Sequence, residues 1–138
     1  MPEYGETNAT VAAAVTRLRA ERRWSYREVA DAMPAGPGKL SHVSVRELEL
    51  GRRRATVDDL TSLAVAFGVS PITFLMPWTT DDRESYIQLS GTPEVLPFGM
   101  LAWLQGRAPI HPEDWVDAWK VEGFQRESLP PWAWGKTP

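Results

Sequence analysis

The sequence predicts a mainly α-helical chain whose helices crowd into the first half. Three observations carry this. Between positions 8 and 77, apolar residues recur at intervals of three and four, the period of one helix face. Serine or threonine with a carboxylate three places on starts two of these runs, at Ser25 and Thr56, and a glycine stops two, at Gly51 and Gly68. No stretch there alternates as a half-buried strand does, and there is no internal repeat.

Taken in order, Val11, Val15 and Leu18 follow a polar start at Asn8 or Thr10 and predict an amphipathic helix over 9–22. Ser25 opens a second helix, because Ser25-Tyr26-Arg27-Glu28 is a capping box. Val29, Ala30 and Met33 form its apolar face. Pro34, Gly36, Pro37 and Gly38 end it. A third helix runs over 41–50, with Val45 and Leu48 inward and Gly51 as its C-cap. Thr56, with Asp59 three residues on, opens a fourth. Val57, Leu60, Leu63, Ala64 and Phe67 make its stripe, and Gly68 stops it. Ser70 and Pro71 fit the N-cap and first position of a fifth, which carries Ile72, Phe74 and Leu75 and closes at Pro77. Five such stripes suffice for one small core without staples, with little to spare.

Residues 79–138 differ in character, holding five of the seven tryptophans and seven of the twelve prolines. Thr79 to Glu84 reads as a polar linker. Residues 85–89 alternate weakly, as a strand or extended segment. Short helices are expected over 95–105 and 112–122, the latter opened by Pro112, Glu113 and Asp114. The tail PPWAWGKTP is too proline-rich for regular structure. The expected organisation is one helical domain over 8–77 and an accessory or interaction region over 79–138.

Composition excludes several functions. There is no cysteine, hence no disulfide, thiolate nucleophile or cysteine zinc site. The two histidines, His42 and His111, are far apart, which argues against a metal cluster or a Ser-His-Asp site. No cofactor and no metal are expected. The acidic pairs Asp58-Asp59, Asp81-Asp82 and Glu113-Asp114 each have a capping or linker explanation, so no enzyme is expected either. No apolar run approaches the ~20 residues that span a bilayer, and the N-terminus is unlike a signal peptide. A cytoplasmic protein is the expectation. The net charge of −3 hides an asymmetry: residues 17–54 hold ten basic and five acidic side chains, whereas 79–138 hold five and nine. A local cationic excess matters to a polyanion more than the global sum does.

The stretches LRAERRWSYREVADAM and LSHVSVRELELGRRRATVDDLTSLAVAFGVSPITFL carry a resemblance to a known family. Their ordered set is Leu18-Arg19, Ser25-x-x-Glu28-Val29-Ala30, Val45-x-x-Leu48-Glu49-x-Gly51, Leu60 and Leu63-Ala64-x-Ala66-Phe67-Gly68-Val69-Ser70. Over about 8–77 the chain resembles the helix-turn-helix domain of the Cro/cI-type (XRE) family of phage repressors and bacterial regulators. The resemblance implies a five-helix lambda-repressor-like DNA-binding domain followed by a small Trp/Pro-rich C-terminal region with one or two short helices. It implies a sequence-specific transcriptional regulator, a repressor acting near the nucleoid, with double-stranded operator DNA as partner and a homodimer as the binding form.

On that reading helix 41–50 lies in the major groove, which admits one helix. His42, Val43, Ser44, Arg46 and Glu47 then face the bases. Arg46 can contact a guanine bidentately or a phosphate, and Val43 can touch a thymine methyl. Ser44 can donate or accept at several bases. His42 can instead cap the helix or meet a phosphate. Glu47 can accept from cytosine N4, pair with Arg46, or close a capping box with Ser44. Tyr26 stands where the family commonly has glutamine, and with Arg27, Lys39, Arg52, Arg53 and Arg54 it is expected on the DNA backbone. Arg19 and Glu49 match family positions that form an internal ion pair. The chain departs from the family in the turn, where seven residues, Pro34 to Leu40, replace about two. The alternative is a protein-interaction module, such as an antitoxin or host-factor-binding protein, acting on a protein partner through residues 79–138. Trp103, Trp115 and Trp119 there make either a small core, a partner surface or a small-molecule pocket.

Overall fold

The computed structural model describes residues 2–135. Among these the chain is mainly helical and falls into two compact units, divided between Trp78 and Thr79.

The first unit carries five helices: α1 (Glu6–Arg22), α2 (Tyr26–Ala32), α3 (His42–Glu49), α4 (Val57–Phe67) and α5 (Ile72–Leu75). Helix α1 begins three residues before the expected start, with Gly5 at its N-cap. Its C-cap, Arg23, takes a left-handed backbone at φ 56°. Helices α2 and α4 open on complete capping boxes, Ser25 with Glu28 and Thr56 with Asp59. Ser41 caps α3, its hydroxyl accepting from the Ser44 amide at 3.1 Å. Gly68 stops α4 at φ 69°. At α5, Ser70 accepts from the Ile72 amide, and only one helical turn follows.

The capping residues and stripes make one core. Val11, Val15 and Leu18 from α1, Val29 from α2, Val45 and Leu48 from α3, Leu63 and Phe67 from α4, and Phe74 from α5 are all buried. Helix α2 packs on α3, α1 on α3 and α5, and α4 on α2 and α5. Trp24 stacks on Phe67 with ring centroids 5.5 Å apart. At the end of the unit Trp78 lies over the Arg17 guanidinium, 4.0 Å from it.

The seven-residue turn between α2 and α3 is tied down at its far end. Leu40 joins the core. Gly38 adopts φ +85°, and a Cβ there would be driven into the Asp58 carbonyl of α4. Only glycine accepts both that conformation and that approach.

The second unit holds α6 (Pro97–Leu104) and α7 (Ala118–Ser128), with 3-10 turns at Pro112–Val116 and Pro131–Ala133. Several expectations change here. Residues 79–84 are more than a linker, since the Asp82 carbonyl accepts from the Phe98 amide in the first turn of α6 and Arg83 lies over the Phe98 ring. The alternation at 85–89 yields one antiparallel bridge, Ile87 with Val95. The helix expected over 112–122 divides at Asp117, whose carboxylate accepts from the Trp119 amide and starts α7 afresh. Helix α7 runs on to Ser128, and Pro131–Ala133 adds a turn to a tail expected to be irregular. Residues 136–138 of that tail lie outside the described residues. Leu89, Val95, Met100, Ala102 and Ala108 form the small core. Trp115 meets Phe98 edge-on and donates to the Pro109 carbonyl at 2.7 Å. Trp119 takes no part in that core, being 83% exposed, because the break at Asp117 turns it outward.

Candidate nucleic-acid interface

Helix α3 is short, so its aim depends on what holds it. Val45 and Leu48 are fully buried on its inner side. At its C-terminal end Glu49 receives two hydrogen bonds from the Arg19 guanidinium, at 2.6 and 3.0 Å, and a third from the Thr16 hydroxyl at 3.1 Å. Arg19 also donates to the Trp24 carbonyl at 3.1 Å. The hydrogen bond with Glu49 raises the Arg19 pKa above its ordinary value, burial opposes this, and the charge of Glu49 adds to it. A planar fork on a carboxylate fixes orientation as well as distance. Helix α3 is thereby locked to α1.

The opposite face of α3 is open. His42, Val43 and Arg46 are exposed, Ser44 and Glu47 half-buried. Val43 and Leu50, seven residues apart and so on one helical stripe, are 53% and 48% exposed. Ser44 is not a cap: Ser41 fills that role, and its hydroxyl also donates to the Ser44 hydroxyl at 3.1 Å. The capping box weighed for Ser44 and Glu47 therefore does not form. Glu47 instead lies between two cations, 3.7 Å from Arg46 and 3.9 Å from Arg52.

The expected backbone-contact residues separate into two sets. Arg27 is exposed on the first turn of α2, and Arg52 and Arg54 are exposed after α3. The Tyr26 ring is half-buried beneath the Arg19 guanidinium, 4.3 Å away. Lys39 is placed otherwise than expected. Its ammonium donates to the Ala30 and Met33 carbonyls at 2.7 and 3.0 Å, satisfying the open C-terminal end of α2. Arg53 is also drawn inward, 3.5 Å from the Asp59 carboxylate, which is only 2% exposed. A buried carboxylate holds its counterion because an unpaired charge there is costly.

Residues not singled out from sequence hold this arginine loop. The Asn8 side-chain carbonyl accepts from the Ala55 amide at 2.7 Å, and its amide donates to the Arg53 carbonyl at 3.2 Å. The Tyr4 hydroxyl donates to the Arg52 carbonyl at 3.3 Å, and its ring lies 5.1 Å from the Arg54 guanidinium. These partners stand 45 or more residues apart, so no local pattern announces them.

Among the described residues no group of three or more His, Cys, Asp or Glu could hold a metal ion, and no helix is long and apolar enough to cross a membrane. No family model, curated protein or solved structure matches the chain.

Proposed function

We propose that this protein is a sequence-specific DNA-binding transcriptional regulator, a repressor that occupies an operator with α3 in the major groove. One observation carries the reading. Helix α3 is braced from within by Val45, Leu48 and the Arg19–Glu49 pair, while its His42, Val43 and Arg46 stand open, and Arg27 on α2 and Arg52 and Arg54 after α3 are exposed as well. A rigid rod with readable side chains outside and cations flanking it suits a groove between phosphate rails. The five-helix order of the first unit supports a lambda-repressor-like arrangement. In this reading Arg46 reads a guanine, Val43 meets a thymine methyl, and Ser44, His42 and Glu47 tune neighbouring positions. Arg27, Arg52, Arg54 and the Tyr26 edge meet phosphates. The binding form is a two-fold dimer on half-sites one helical turn apart.

In vitro selection of bound duplex from a random pool tests this. The expected outcome is a palindromic consensus whose affinity falls steeply as salt rises. Arg46→Ala should relax preference at one base pair per half-site, by roughly 1–3 kcal/mol. Binding that is absent, or uniform across sequences and insensitive to salt, overturns the reading.

A second reading is favoured by the exposed apolar set of the second unit. Val116, Trp119 and Trp132 are 92%, 83% and 75% exposed, and tryptophan is a common anchor of protein interfaces. In that reading residues 79–138 bind a protein partner and DNA is secondary. A stoichiometric partner held by the full chain, and lost on Trp119→Ser without loss of DNA binding, distinguishes it.

A further inference from the structure

The three consecutive arginines after α3 are not equivalent. We propose that Arg53 is an internal clamp that, with Asn8 and Asp59, holds the 52–55 loop in the shape that presents Arg52 and Arg54 to phosphates. This rests on the DNA-binding reading and assigns the parts within it. Asn8 and Asp59 are then positioning residues of the interface, although neither touches nucleic acid.

The loop is held from two sides. From α1, Asn8 binds its backbone twice, at the Arg53 carbonyl and the Ala55 amide. From α4, the buried Asp59 carboxylate accepts from the Thr56 amide at 2.9 Å and faces the Arg53 guanidinium at 3.5 Å. The Arg53 side chain is 35% exposed, against 61% for Arg52. Tyr4 adds a contact at each flank, on the Arg52 carbonyl and over the Arg54 guanidinium. Loops ordinarily lose entropy when they grip a ligand. A loop whose amide, carbonyl and central side chain are already fixed loses less. Of the three cations, the middle one is committed to Asp59. Counterion release on DNA should follow the two that are not.

The test uses the full chain, a random 20-base-pair duplex and three single variants, Arg52→Gln, Arg53→Gln and Arg54→Gln. Each is scored for thermal midpoint and for the slope of log affinity against log salt. Arg52→Gln and Arg54→Gln should each lower the slope by about 0.9 and leave the midpoint unchanged. Arg53→Gln should do the reverse, leaving the slope and lowering the midpoint by several degrees, because Asp59 stays buried without its counterion. In a fourth variant, Asn8→Ala, amide exchange at Ala55 should accelerate at least tenfold, and affinity should fall equally for selected and random duplex. Equal slope losses at all three arginines, or unchanged exchange at Ala55, overturn the proposal. If the wild-type chain binds no duplex at low salt, the DNA-binding reading fails, and this assignment with it. The midpoint and exchange results, which need no DNA, then show separately whether the loop is clamped.

Discussion

At the scale of single residues, Glu49 sets the attitude of a helix. Its carboxylate is 4% exposed and held by three donors, two of them from one guanidinium. Glu49→Ala should cost about 3 kcal/mol in urea denaturation, since it leaves the Arg19 charge partly buried without its partner. The pair has a wide pH range on its basic side. Because the Arg19 pKa is raised, this contribution is complete below arginine's ordinary value and fades only as pH climbs through the raised one. Unfolding measured from pH 7 to 10 should therefore show no loss from Arg19. Gly38→Ala should cost about 2 kcal/mol or more, for it combines a left-handed φ with a collision against backbone. Gly51→Ala, with φ +73° but open space around it, should cost less. What was legible at this scale was local. Ser25, Glu28, Thr56 and Asp59 announce their capping partners three residues away. Lys39, Arg53 and Asn8 do not, because a side chain that reaches a carbonyl or carboxylate on another element leaves no trace in spacing. A lysine in a Gly/Pro turn reads as solvated, yet the open end of α2 supplies two better acceptors.

At the scale of elements, helix starts with a complete capping box were readable, and starts and breaks without one were less so. Ser41 and Ser44 illustrate the difference. Both precede an apolar run, and only tertiary placement decides that Ser41 is the cap. Ser41→Ala should destabilise by about 1 kcal/mol, whereas Ser44→Ala should change stability little and, on the DNA-binding proposal, alter base preference. Thermal melts beside competition binding would separate the two effects. In the second unit Pro112 correctly marks a turn of helix, but its 3-10 geometry persists only to Val116 before Asp117 begins a new helix. The apolar spacing across that junction is too sparse to reveal it. Helix α7 has no fully buried residue, and only Val121, Phe124 and Gln125 along it are half-buried, so its start leans on the Asp117 cap and exposed ion pairs more than on burial. Exposed pairs contribute little, and Asp117→Ala should accordingly fray α7, read as loss of helical amide protection from Trp119 onward.

At the scale of the molecule, the core of the first unit draws only on residues 11–74. A fragment of residues 1–78 should therefore retain a cooperative thermal transition, with far-ultraviolet and tryptophan signals melting together. Loss of that transition would mean the core is incomplete without the second unit. The charge division runs along the same boundary, with the cationic excess confined to 17–54 and the acidic excess beyond 79. Fold class was legible from periodicity because helical stripes repeat often enough to average out single exceptions. The candidate interface was legible on α3, where burial of Val45 and Leu48 dictates what faces out. It was less legible in the flanking loop, where the partner of each arginine is chosen by packing.

The long turn before α3 has a practical corollary. Met33 and Leu40 are both sunk in the core, Gly38 and Lys39 are fastened to neighbouring helices, and Pro34 to Pro37 between them are exposed. Length added there is insulated from α3 by anchors on both banks. A short epitope or a fluorophore-bearing peptide spliced after Ala35 should ride on the surface as passive cargo, giving the protein a handle ahead of α3 with little loss of stability.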